Sequence, residues 1–194
     1  MKKILTLLIT MFLILPLLSC DKDKYVMPYK PGVTIEEEEK FYEYKTKWDE
    51  ANLSNYTFTF TKKHSLYPPD NYVIEVTAEN GKVTNCELKE YISQSKEDAS
   101  SEEWAENEER FSSSHSNLDQ FLIDNIYSTF DRLIKEDYES LKKHPDCYYA
   151  NFSFTFSEEV PFILSYEGRY LLMIKDADGN GAELKFQISN FEAK

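Results

Sequence analysis

Alternating oxygen side chains mark the segment with the clearest chemical signature. In Asp176-Ala177-Asp178-Gly179-Asn180-Gly181, oxygens stand at positions one, three and five, and a glycine at six permits a sharp turn. That is the first half of a calcium loop. Position twelve is Gln187, where such a loop needs a bidentate Glu, and the flanks Tyr170 to Ile174 and Glu183 to Ile188 read as strands. A polar hairpin turn fits the segment better. Weak calcium binding through Asp176, Asp178 and Asn180 is the alternative, and no other cofactor is expected. His64, His115 and His144 are scattered, with no pair at helical spacing and no His-Glu-x-x-His. Neither a Gly-x-Ser-x-Gly elbow nor a Gly-rich phosphate loop is present. With 35 acidic residues some carboxylate pair can always be drawn, and the sequence singles out none.

The remaining chemistry concerns cysteine. Lys2 and Lys3 precede an apolar run from Ile4 to Leu15, and Pro16-Leu17-Leu18-Ser19-Cys20 follows. The run is short for a membrane span and has the flanks of a signal peptide. Leu-x-Ser-Cys resembles the bacterial lipobox, which implies cleavage after residue 19 and a diacylglycerol on Cys20. At ~0.8 kcal/mol per buried CH₂, such an anchor is close to permanent. The expected location is therefore the bacterial cell envelope, with the membrane contacted through the lipid. Cys86 and Cys147 are then an even pair in an oxidising compartment. Two readings stand: a bridge, contributing about 4 kcal/mol by chain entropy, or two buried free thiols.

Charge narrows the partners. The chain has 194 residues, 22 basic against 35 acidic, for a formal net charge of -13. Loss of Lys2 and Lys3 on cleavage leaves 20 basic residues and a charge of -15. Nucleic acid needs a basic face and is excluded as a partner. Anionic headgroups would repel such a body, so the lipid and not the surface holds it to the membrane.

Positioning falls to a single domain. Residues 21–33, with two Pro and a Gly, read as a lipidated tether beginning at Cys20, and the domain spans 34–194. Thr34-Ile35-Glu36-Glu37 has the form of a capping box, followed by Phe41, Tyr44 and Trp48 on one helical face, which predicts a helix over 35–51. In Asn55-Tyr56-Thr57-Phe58-Thr59-Phe60-Thr61 aromatics and threonines alternate, as in a strand with one buried face. Strands over 72–77 and 83–91 follow, joined at Asn80-Gly81 by a tight hairpin turn. Residues 93–117 are rich in Ser and Glu and read as a surface insert with a short helix near 101–110. Trp104 and Phe111 are its large apolar residues and the candidate partner contacts, for a protein or another envelope component. A second helix, capped by Ser116 or Asn117, carries a stripe from Leu118 to Tyr138. Asn151-Phe152-Ser153-Phe154-Thr155-Phe156-Ser157 then repeats the 55–61 pattern. The expected fold is α+β: two helices on one face of an antiparallel sheet, built from a duplicated helix-plus-meander unit, with a hydroxyl-rich face opposite.

Several of these segments carry a family resemblance. Trp48-x-x-Ala51, Asn55-Tyr56-Thr57-Phe58, Val73-Ile74-Glu75-Val76 and Asn80-Gly81-Lys82-Val83 resemble a family of bacterial lipoproteins with a domain of unknown function. Leu122 to Leu133 and Phe186-x-Ile188-x-x-Phe191 are similar to its second helix and closing strand. The resemblance covers residues 41–194 apart from the insert. Many relatives have Cys-x-Cys-Pro where this chain has Leu66-Tyr67-Pro68-Pro69, so no redox role is implied there. The family has no established activity, and the resemblance implies location and fold only. The expected function is a non-catalytic binding or interaction domain on an envelope anchor. The alternatives are an envelope hydrolase with an unlocated carboxylate site and a calcium-stabilised structural domain.

Overall fold

The computed structural model describes residues 32–64, 70–146, 148–172 and 182–194. In chain order its elements are β1 (Gly32–Glu36), α1 (Glu38–Ala51), β2 (Tyr56–His64), β3 (Tyr72–Glu79), β4 (Lys82–Tyr91), β5 (Gln94–Ser95), α2 (Ser101–Ser114), a 3-10 turn (Leu118–Phe121), α3 (Ile123–Lys143), β6 (Tyr148–Phe156), β7 (Ile163–Leu172) and β8 (Ala182–Ala193). The fold is α+β. The strands form one sheet in the order β1-β6-β7-β8-β2-β3-β4-β5. Every pairing is antiparallel except that of β1 with β6. Among the described residues no helix is long and apolar enough to cross a membrane. The signal segment and Cys20 lie outside the described residues.

Alternation builds the sheet. Tyr56, Phe58 and Phe60 of β2 and Phe152, Phe154 and Phe156 of β6 are buried on the helix-covered face. The intervening Thr57, Thr59, Thr61, Ser153 and Thr155 stand on the open face, where Thr155 hydrogen-bonds Ser165 and Thr59 accepts from Asn190. A period of two makes one face apolar and the other polar, and the apolar face must be covered. Three helices cover it, not two. Phe41 of α1 packs on Phe154, and Phe130 of α3 on Phe154, Tyr166 and Phe186. The third, α2, arises from the Ser/Glu-rich insert: Ser100 and Glu103 form a reciprocal capping box, and Phe111 docks on Tyr72 and Tyr91.

Two local expectations are corrected. Thr34 does not cap a helix, because residues 32–36 pair with β6 as β1, Thr34 opposite Asn151. The strand also takes Gly32 and Val33 from the expected tether. Its pairing satisfies more backbone groups than one cap, worth about 1 kcal/mol, would have done. Glu37 turns the chain into α1 with φ 65 and no side-chain cap. Asn117 caps the 3-10 turn through Asp119 N, while α3 begins under the Tyr56 hydroxyl, which accepts from Ile123 N at 3.2 Å.

The duplicated unit does not persist in space. Each half does run helix, then three-stranded meander: α1-β2-β3-β4 and α3-β6-β7-β8. Both meanders step the same way across the sheet, yet β2 and β6 run in opposite directions while burying the same face. The two units are therefore of opposite hand, and no rotation superposes them. The Asn-aromatic pattern repeats strand chemistry, not a folded module.

Gly168 of β7 faces Phe152 across the ladder, and the Tyr166 ring lies over it. A Cβ there would meet both rings. Gly168→Ala is expected to destabilise by about 1–3 kcal/mol, the usual range for overpacking. Urea unfolding of the two proteins measures it; an unchanged midpoint would show that the aromatic column has slack.

Candidate functional site

β2 continues its alternation past Phe60, so Lys62 also points to the helix-covered face, opposite Tyr72 on β3 and Phe186 on β8. A lysine on an aromatic face needs a partner or an exit to water. Lys62 has both. Its Nζ lies 2.6 Å from Asp70 Oδ2 and 5.3 Å from the centre of the Tyr72 ring. Asp70 stands just before β3, held near by Asn71, whose Oδ1 accepts from His64 N at 2.6 Å.

His115 closes the cluster from the end of α2. Its ring stacks on Phe111 at 4.5 Å and meets Tyr72 edge-on at 4.9 Å. Only 6% of the residue is exposed. Nδ1 lies 3.0 Å from the Phe111 carbonyl and Nε2 lies 3.8 Å from Asp70 Oδ2. Burial lowers the His115 pKa, against the opposing pull of the Phe111 carbonyl and Asp70. The ring is thus neutral at pH 7, Nδ1–H donates to the carbonyl, and the Nε2 lone pair faces Asp70. Burial likewise raises the Tyr72 hydroxyl pKa, so Tyr72 serves as a neutral wall.

Two spaces flank these three residues, Lys62 lining the first and Asp70 and His115 the second. Between α3 and the sheet lies a cavity of about 170 Å³, walled by Phe60, Tyr72, Phe121, Phe130, Leu133 and Phe186. Lys62 is the only charged group among its described lining residues. On the far side of Asp70, a wider groove of about 850 Å³ runs beneath α2, with Glu106, Glu109, Arg110 and His115 along it. Gln120 and Thr129 add two neutral polar groups to the lining of the cavity, and mainly apolar walls with a few polar groups are the usual form of a small-ligand site.

Of the residues expected from the sequence, those the structure describes are not the ones that line the cavity. Trp104 and Phe111 are not exposed contacts. Both are buried, Trp104 with its indole nitrogen donating to Glu108 and Phe111 inside the Tyr72–His115–Phe121 cluster. The helix of the insert needs an apolar side to dock, and these two residues supply it. Cys86 is a free thiol, half-buried on β4, and burial pushes its pKa up to about 11. Cys147 lies outside the described residues. The candidate calcium ligands Asp176, Asp178 and Asn180 also lie outside the described residues. No group of three metal-ligating side chains occurs among the residues described. Sequence reasoning missed Lys62, Asp70 and His115. Only the parity of Lys62 with Phe58 and Phe60 could have signalled that one of them points inward.

The chain matches no protein-family model, no curated protein and no solved structure.

A second buried ionisable group lies outside this site. Asp137, on the inner side of α3, is 4% exposed; its Oδ1 accepts from the Tyr148 hydroxyl and its Oδ2 has no partner among the described residues. Burial pushes its pKa from 3.8 up to about 6, although the Tyr148 bond works the other way. A raised carboxyl pKa means that the fold favours the protonated form. Its stabilisation is full below pH 3.8 and is lost as pH rises through about 6. Asp137→Asn is therefore expected to raise Tm by ~2–6 °C at pH 8, as ~1–2 kcal/mol does in a domain of this size, and by about half as much at pH 5, where part of the stabilisation is already lost. Calorimetry at both pH values checks this; an equal shift at both would refute a titrating Asp137.

Proposed function

We propose that this chain is a lipid-anchored bacterial envelope protein whose domain binds a small ligand without transforming it. The observation that carries the reading is the aromatic cavity with Lys62 in its lining. Aromatic walls supply affinity through excluded water, and a lone cation supplies orientation. The anchor is argued from Lys2-Lys3, the apolar run and Leu17-Leu18-Ser19-Cys20, in agreement with the lipoprotein resemblance.

A protein or envelope partner is a second reading within the same class. The open sheet face favours it, since Thr57, Thr59, Thr61, Ser153 and Thr155 lie there uncovered by any helix among the described residues. The hydrolase alternative would place its chemistry in the groove where His115 and Asp70 face Glu106 and Glu109.

A fragment screen by saturation-transfer NMR on the membrane-reconstituted chain tests the choice, with Leu133→Phe as the cavity-filling control. Ligand binding predicts apolar fragments that bind the wild type, fade in Leu133→Phe and are recovered intact. Ester or amide fragments cleaved by the wild type and spared by His115→Phe would instead establish the hydrolase. Metabolic labelling with an alkyne fatty acid, lost in Cys20→Ala, tests the anchor.

A further inference from the structure

The position of Lys62 defines the ligand class more closely, on the premise that the cavity is a binding site. Lys62 lines the cavity, and its present counter-charge, Asp70, 2.6 Å from Nζ, lines the groove. No carboxylate is among the described residues lining the cavity itself. An apolar cavity of about 150 Å³ accommodates benzene, so about 170 Å³ accommodates a phenyl ring or a short alkyl chain. The ammonium in its lining opposes a cation and gives a neutral molecule no ion pair.

We propose that the cavity binds a small aryl- or alkyl-carboxylate, with the apolar body between α3 and the sheet and the carboxylate paired to Lys62 in place of Asp70. The displacement has a consequence on the groove side. Asp70 and the ligand carboxylate are like charges beside one ammonium. Asp70 relieves their repulsion by turning to His115, whose Nε2 is already 3.8 Å away. Nε2 takes up a proton from solvent and keeps it, so the imidazolium donates a hydrogen bond to the Asp70 carboxylate while Nδ1–H keeps its bond to the Phe111 carbonyl. The charged and titratable groups around His115 and its partner Asp70 are Lys62 and His64 from β2, Tyr72 from β3 and Tyr91 from β4. From its own helix, Glu106, Glu109 and Arg110 face the same groove. Removing Lys62 from the Asp70 pair leaves Asp70 as the dominant neighbour, so the bound state holds His115 protonated to higher pH than the free state. Binding therefore takes up a proton, and affinity falls as pH rises from 6 to 8.

The test is titration calorimetry of the full chain in nanodiscs, with empty nanodiscs as blank. Three probes share one body: 3-phenylpropionate, 3-phenylpropan-1-ol and 3-phenylpropylamine. The acid is expected to bind at least tenfold more tightly than either analogue and to lose that advantage in Lys62→Met. Asp70→Asn is expected to bind the acid about tenfold more tightly, because nothing must be displaced. Buffers of different ionisation enthalpy are expected to show close to one proton taken up at pH 6.5 by the wild type and none by Asp70→Asn or His115→Phe. Equal binding of acid and alcohol would overturn the carboxylate assignment and leave the cavity a binding site. Failure of all three probes to bind would overturn both. Acid binding without proton uptake would overturn the exchange of Asp70 between Lys62 and His115.

Discussion

One constraint orders this molecule: β2 and β6 alternate aromatic and hydroxyl side chains, and a strand has no choice about which side alternate residues face. Six large rings therefore share one surface of the sheet. Exposed, they would cost on the order of 2 kcal/mol each. α1, α2 and α3 exist as folded helices largely because that surface gives their apolar stripes somewhere to go. The same parity reaches one residue further than the rings do and brings Lys62 inward. The site is a continuation of the folding pattern at the point where aromatic side chains give way to a charge.

That point is also where the layers part. α2 covers β3 and β4 through Phe111, while α3 covers β6, β7 and β8 through Phe130. The 3-10 turn joins the two helices, and its Phe121 reaches Phe60, Tyr72 and Phe111. The space left between α3 and β2–β8 is the cavity, and the space beneath α2 is the groove. Asp70 stands between them because it enters β3 beside the last turns of β2. A polar network placed between an apolar hollow and water couples the two, since its charges can be satisfied from either side.

What the sequence made legible was local. Period two in 55–61 and 151–157, the Asn80-Gly81 turn and the stripe from Ile126 to Tyr138 all report on neighbours in the chain and appear as expected, whereas Leu118 is exposed on the 3-10 turn that precedes α3. Both residues of that turn have positive φ, as such a hairpin requires. What stayed hidden depended on distant partners. Thr34 to Glu37 reads as a capping box until β6 is beside it. Trp104 and Phe111 look like exposed aromatics in a polar insert until the sheet edge they cover is in place. His115 looked isolated because Asp70 and Lys62, its neighbours in space, are far from it in sequence. Helix-then-meander order, likewise, says nothing about strand direction, and direction is what gives the two halves opposite hand.

The account rests on an apolar hollow between α3 and the sheet that is open to a guest. Xenon measures this without assuming any ligand chemistry, since it enters dry apolar cavities of this size. A crystal pressurised with xenon is predicted to show one atom among Phe60, Phe130 and Phe186, and none after Leu133→Phe. Wild-type crystals with that space closed or empty of xenon would contradict the account.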